Sequence, residues 1–449
     1  MAQSADQMLA NVNFSGFSRA QELKQRLWFT LGALIVYRLG TYVPLPGIDP
    51  AMIAKVFSQH AGGVLGMFDM FSGGALGRMT IFALTIMPYI TASIVMQLLA
   101  AMVPALEQLK KDGEAGRKKI NQYTRYLTVA VAAAQAYGLA VGLEGMNAAG
   151  ALAVPEPGMF FRMTTTITLV GGTMFLMWLG EQITARGIGQ GVSLIIYAGI
   201  VANLPAAIAS FLELGRTGAL SALFILAFFA FALAVIAFIV FVERGQRRLV
   251  VQYPKRQVGN KMFGGEATYM PLKLNVSGVI PPIFASSLLL LPTTIVNFYG
   301  NTGPDTPEWV IWITNNLSHG HPLFMCLYIG MIVFFAFFCT ALYFNPVDRA
   351  EELRKYGGFI PGIRPGKNTA DYLDFVLTRL TAVGAAYLAL VCLIPELLIA
   401  EFAMPFVFGG TGLLIVVSVT MDTVSQVQSH LLAHQYEGLI KKAKLRGLK

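Results

Sequence analysis

The chain has 449 residues, of which 55% are hydrophobic and 13% charged, with a formal net charge of +9. Soluble domains carry about 25% charged residues, so this composition excludes an ordinary soluble globular protein. The mean hydropathy of +0.61 points instead to a chain whose solvent is lipid, and its length divides naturally into spans of about 20 apolar residues. Cys326, Cys339 and Cys392 all lie in apolar runs, which argues against a disulfide framework and reads as small core or lipid-facing thiols.

Residues 1–26 are polar, and the first apolar run is long enough to remain a span, so no cleavable leader is expected. Ten apolar runs follow, at 27–43, 79–103, 126–144, 163–181, 188–211, 219–242, 278–299, 323–344, 380–396 and 405–424. Each suits a helix, because lipid tolerates only closed backbone hydrogen bonding. Their many Gly, Ala and Ser residues suit close helix packing. Between the first two runs lies an apolar segment, 62–76, too short to span and with glycines at both ends. Two readings fit it: a short re-entrant helix on glycine hinges, or an interfacial loop packed statically against the spans.

Positive charge alternates along these runs. With the N-terminus in the cytoplasm, 28 of the 33 lysines and arginines fall on cytoplasmic segments. Lys55, Arg78, Arg162 and Arg216 face the other side, and Arg38 is left inside the first run. The pattern predicts ten spans with both termini cytoplasmic. Loops 243–277 and 345–379 carry more Lys and Arg than orientation needs, with Gly, Pro and aromatic punctuation such as Phe359-Ile360-Pro361-Gly362-Ile363-Arg364-Pro365-Gly366. They are expected to form ordered projections attractive to ribosomal RNA or an acidic protein surface. A positive-inside signal alone is the competing explanation.

The segment Pro88-Tyr89-Ile90-Thr91-Ala92-Ser93 matches Pro281-Pro282-Ile283-Phe284-Ala285-Ser286 at four of six positions. Five runs per half reverse the second copy relative to the first, which predicts an inverted repeat with a path between the halves. The halves are 27–211 and 212–424, flanked by tails 1–26 and 425–449. No run carries Asp, Glu or His near its middle, which weighs against a proton- or ion-coupled carrier. No phosphate loop, metal-ligand cluster or nucleophile–base pair is visible, so energy is expected from a partner and an enzyme is not expected. Ile86 with Ile90, and Val192 with Ile196, lie one helical turn apart and share a face. Ordinary membrane-helix composition explains those pairs equally well. Thr91, Ser93, Gln97, Asn275, Ser286 and Ser287 offer hydrogen bonds across helices at about 0.6 kcal/mol each, weak enough for a contact that opens. Static packing glue is the alternative.

Several segments together carry a resemblance. They are Pro44-Leu45-Pro46-Gly47-Ile48, Met70-Phe71-Ser72-Gly73-Gly74, Gln122-Tyr123-Thr124-Arg125-Tyr126, Trp178-Leu179-Gly180-Glu181-Gln182-Ile183-Thr184, Phe241-Val242-Glu243-Arg244-Gly245-Gln246-Arg247-Arg248 and Pro361-Gly362-Ile363-Arg364-Pro365-Gly366. In their order and spacing they resemble the bacterial branch of the SecY family. The resemblance implies an all-α membrane protein of ten transmembrane helices, in two inverted five-helix halves hinged like a clamshell between spans five and six. It implies a protein-conducting channel of the bacterial inner membrane that passes unfolded polypeptides and releases apolar segments sideways into lipid.

The same resemblance assigns roles by position. The pore ring is Ile86, Ile90, Val192, Ile196, Ile283 and Ile415, with Val192 where the family carries Ile. The plug helix includes Leu65, Met67, Phe68, Met70, Phe71, Ser72, Gly73 and Gly74. Spans two and seven form a lateral gate that includes Thr91, Ser93, Gln97, Asn275, Ser286 and Ser287. Arg244, Arg247, Arg248, Lys255, Arg256 and Arg364 are contacts for the ribosome and the SecA motor. SecE and SecG are implied subunits, signal sequences and translocating chains the passengers, and membrane lipids the surroundings; no cofactor or metal is implied. A secondary transporter for a small solute, and a scaffold that only docks partners, are the competing readings.

Overall fold

The structure, a computed structural model, describes residues 21–50, 52–53, 69, 72–145, 147–148, 151–152, 154–217, 221–254, 256–258, 261–263, 267–298, 316, 321–402 and 410–446. In chain order the helices are α1 (Gln21–Gly40), α2 (Met87–Met102), α3 (Pro104–Lys111), α4 (Glu114–Gly145), α5 (Met159–Arg186), α6 (Gly191–Arg216), α7 (Ala222–Arg244), α8 (Ile280–Phe298), α9 (Pro322–Tyr343), α10 (Pro346–Lys355), α11 (Lys367–Phe402) and α12 (Gly410–Arg446). Every one of the ten apolar runs holds a helix: α1, α2, α4 to α9, α11 and α12. Among the described residues, six helices are long and apolar enough to cross a membrane (α4, α5, α6, α7, α9 and α11). A seventh is gained if α2 and α3, bent by 104° to each other, count as one span. The bend falls where Val103 is extended and Pro104 opens α3, because the proline ring disfavours a helical residue before it.

The chain divides into two compact units. The first comprises 1–210, 290–315 and 419–449. Within it α4 packs on α2 and α5, and α1 on α5. Thr124, Thr128, Ala132, Ala136 and Ala140 recur every four residues along α4 and are all buried. Small side chains in one stripe let helix backbones approach closely.

The second unit comprises 211–289 and 316–418. Here α11 packs on α9 and α10. Strands β3 (Gln246–Gln252) and β6 (Ala267–Lys273) pair antiparallel, with the shorter pair β4 (Arg256–Val258) and β5 (Lys261–Phe263) beyond them. Strands β1 (Asn147–Ala148) and β2 (Ala151–Leu152) form a small hairpin between α4 and α5. The expected helical architecture therefore carries β-ribbons in its loops.

One predicted run differs from its helix. A single element over 79–103 was the expectation, but α2 begins only at Met87, and the chain before it makes successive turns. Met79 and Thr85 take positive φ there, 44° and 52°. Tertiary pairing holds that backbone: Leu45 N donates to Met79 O at 3.0 Å, and Ile81 N to Val43 O at 3.1 Å. The bare backbone of Gly172 on α5 makes room for it, since a Cβ there would lie on the Ile81 carbonyl oxygen, well inside contact distance. The C-terminal segment 425–449, expected as a tail, continues α12 as helix to Arg446.

Gly171 offers a matched control, because a Cβ at that position meets nothing within 4 Å. Gly172→Ala is therefore expected to cost about 1–3 kcal/mol through overpacking. Gly171→Ala is expected to be neutral or to gain slightly in helix propensity. Thermal unfolding of the two purified variants in the same detergent checks the contrast.

Candidate channel site

All six ring candidates sit at the start of a helix. Ile86 is the N-cap residue of α2, and Ile90 N donates to its carbonyl at 3.1 Å. Val192 and Ile196 lie in the first two turns of α6, Ile283 in the first turn of α8, and Ile415 in the second turn of α12. Val192 is half-buried, and the five isoleucines are each at most 9% exposed. Ile86, Ile90, Val192 and Ile196 fall in the first compact unit, and Ile283 and Ile415 in the second.

The two copies of the repeat also occupy equivalent places. Pro88 stands in the first turn of α2, and Pro281 and Pro282 in the first turn of α8, where a missing backbone N–H is least costly. The hydroxyls beside them bond to carbonyls of their own helices. Thr91 Oγ1 donates to Met87 O at 3.2 Å, Ser286 Oγ to Pro282 O at 3.0 Å, and Ser287 Oγ to Ile283 O at 2.8 Å. Gln97 Nε2 donates to Ser93 Oγ at 3.2 Å. A carbonyl one turn back is always within reach of such a hydroxyl, so the local bond forms at little entropic cost.

Asn275 does reach across elements. It is buried, and its Nδ2 donates to Glu243 Oε1 at the end of α7 (2.7 Å) and to Gly278 O (3.0 Å). Gly278 O is the carbonyl that Pro282, four residues on, cannot serve. Gly384 on α11 lets this corner sit close, since a Cβ there would meet Leu274 O at 3.0 Å. The start of α8 is thus tied to α7 and packed on α11.

Of the plug residues, Leu65, Met67, Phe68, Met70 and Phe71 lie outside the described residues, while Ser72, Gly73 and Gly74 are described. These three occupy a turn tied by side chains from α1 and by Arg78. Tyr37 Oη donates to Ser72 O at 3.3 Å, Arg38 Nη1 to Gly73 O at 3.0 Å, and Arg78 to Gly73 O and Gly74 O at 3.1 and 2.9 Å. The Arg78 guanidinium lies 4.2 Å from the ring centroid of Tyr42, a cation–π contact. Asp69 Oδ1 accepts from Gly77 N at 2.7 Å and from Ser72 Oγ at 3.1 Å. Burial pushes the Asp69 carboxyl above the usual carboxylate range, against the downward pull of those hydrogen bonds.

The two basic loops form one module. Gln252 and Phe359 exchange both backbone hydrogen bonds, at 2.8 and 2.9 Å. Leu249 and Leu272 from the hairpin, Ala350 from α10, Ile360, and Leu373, Val376 and Leu377 from α11 share a single apolar core. Arg244, Arg247, Arg248 and Arg364 are exposed on this module. Lys255 lies outside the described residues, as does the side chain of Arg256, whose backbone belongs to β4. The sequence pattern suggests two separate projections and gives no role to Tyr37, Arg38, Tyr42, Asp69 or Arg78. Arg38 offered a usable signal, because a cation inside an apolar run is expensive unless it has a partner.

The structure is that of a multi-pass helical membrane protein in which two basic loops join in one module. The SecY family model matches residues 80–424. The protein translocase subunit SecY of Rickettsia conorii is 55% identical over 434 residues, covering 97% of this chain and 99% of that one. The chain belongs to the SecY family. Its fold is that of a solved protein-conducting channel, with a TM-score of 0.66, 19% identity, and coverage of 91% and 92% of the two chains. It also matches Sec61 in the canine ribosome–channel complex from the endoplasmic reticulum, with a TM-score of 0.58, 16% identity and the same coverage. The small-solute transporter finds no support in these relations.

Asp69 yields a pH prediction. Its folded-state pKa lies above its unfolded one, so the folded chain holds the proton longer, and stability falls as pH rises through the carboxylate range. Asp69→Asn keeps the acceptor oxygen and is expected to flatten that dependence. Asp69→Ala is expected to cost about 1–3 kcal/mol by orphaning the Gly77 amide. Melting curves at stepped pH distinguish the three chains.

Proposed function

We propose that this chain is the protein-conducting subunit of a translocase, carrying unfolded polypeptides through the bacterial inner membrane. Its near full-length relation to a translocase subunit carries the reading. In this reading Ile86, Ile90, Val192, Ile196, Ile283 and Ile415 close as a ring around the passing chain. Aliphatic contacts are non-directional, so one ring accepts almost any sequence. When empty, the same apolar constriction resists wetting and ion flow.

Residues 62–76 act as the plug, with 72–78 as its fixed stem. The helices α2 and α8 bound a lateral gate, and Asn275 anchors the start of α8 while that gate moves. Ten spans in two inverted halves place both termini in the cytoplasm, with 28 of 33 basic residues on that side. The joined basic module then faces the cytoplasm, where Arg244, Arg247, Arg248, Lys255, Arg256 and Arg364 receive the ribosome or the SecA motor. The Sec61 neighbour from a ribosome–channel complex supports a ribosome as partner. SecE and SecG complete the complex. The chain performs no bond chemistry; its partners supply the energy.

Site-directed crosslinking tests the ring. A secretory chain stalled in transit is expected to crosslink to Ile86→Cys and Ile283→Cys in the assembled complex. No crosslink at either position, in a complex that still translocates, would sink the pore assignment.

A further inference from the structure

The turn between α5 and α6, Gly187-Ile188-Gly189-Gln190, is irregular backbone inside the first compact unit. Side chains from three separate helices satisfy its amides. Ile188 N donates to Thr30 Oγ1 of α1 at 3.0 Å. Gly189 N donates to Gln426 Oε1 of α12 at 2.8 Å. Gly191 N, the first amide of α6, donates to Thr184 Oγ1 of α5 at 2.9 Å. The glycines are dictated by this clamp. A Cβ at Gly187 would collide with Thr30 Oγ1, and one at Gly191 with the Gly180 carbonyl. Gly189 takes φ +88°, a conformation that penalises any side chain. Leu23 of α1, Ile188 and Leu431 of α12 bury an apolar contact beside it, with Leu27 and Val427 against them.

Val192 is the second residue of α6, and Ile196 follows one turn later. We propose that Thr30, Thr184 and Gln426 are positioning residues for these two side chains, and that α12 sets the resting aperture of the channel through the 187–191 turn. The inference rests on the ring reading and adds a control to it. Whatever binds or withdraws the C-terminal stretch of α12 changes how tightly the channel closes. A hydrogen bond spanning 237 positions of sequence couples the two.

The test uses the full chain with its partner subunits in native membrane vesicles, with resting ion leak as the readout. Gln426→Leu and Thr30→Val each remove one acceptor and are expected to raise the leak about fivefold, the effect of one lost hydrogen bond. Gln426→Glu and Thr30→Ser restore an acceptor oxygen and are expected to bring the leak back. A second readout is the rate at which Ile196→Cys reacts with a small maleimide, expected to rise in the Gln426→Leu background. Should Gln426→Leu fail to accumulate, Thr30→Val carries both readouts. If Ile196→Gly leaks while Gln426→Leu, Thr30→Val and their combination do not, the positioning role is overturned and the ring stands. If Ile196→Gly itself does not leak, the ring reading falls and takes the inference with it.

Discussion

Backbone that leaves helical geometry where protein buries it cannot count on water for its hydrogen bonds, and each unsatisfied group costs about 1–3 kcal/mol. This single constraint explains where the specific side chains of the chain are found. The backbone departs from helix at 73–86, at 187–190 and at 274–279. At each place side chains supply what the helix would have supplied. Tyr37, Arg38, Arg78 and Asp69 serve the first. Thr30, Thr184 and Gln426 serve the second. Asn275 serves the third. Each departure also ends at the start of a helix that carries ring candidates, so the ties that satisfy the backbone also hold those side chains.

The chemistry of the ring candidates fits the same economy of charge. A path that must pass any polypeptide gains nothing from directional groups, and aliphatic side chains offer contact without selectivity. Polar anchoring lies at the breaks just before the helix starts, where it fixes the backbone that leads into them. Four arginines away from the basic loops follow suit. Arg162 is paired with Glu144 at 2.6 Å and Arg216 with Glu213 at 2.6 Å, while Arg38 and Arg78 serve backbone carbonyls.

How much of this was legible in the sequence depends on range. Hydropathy placed a helix in each of the ten runs, because lipid burial is a property of consecutive residues. The short match between 88–93 and 281–286 found two equivalent helix starts, because proline in a first turn is a local signal. The late start of α2 was not legible, since the turns before Met87 are as apolar as the helix after it. Arg38 was visible as an anomaly, but its carbonyl partner lies 35 positions away. Nothing in the sequence around Gln426 or Thr30 indicated that both serve one turn, at separations of 237 and 158 positions. The joining of the two basic loops was hidden for the same reason: it depends on one backbone pairing and a shared core, neither of which has a compositional signature.

The claim on which all of this depends is that protein side chains, not water, complete the broken backbone. Amide hydrogen exchange on the chain in lipid nanodiscs measures it directly. The amides of Gly77, Ile188 and Gly189 are predicted to exchange as slowly as those in the interior of α5. Exchange at the rate of an open loop, with α5 protected in the same sample, would contradict the account.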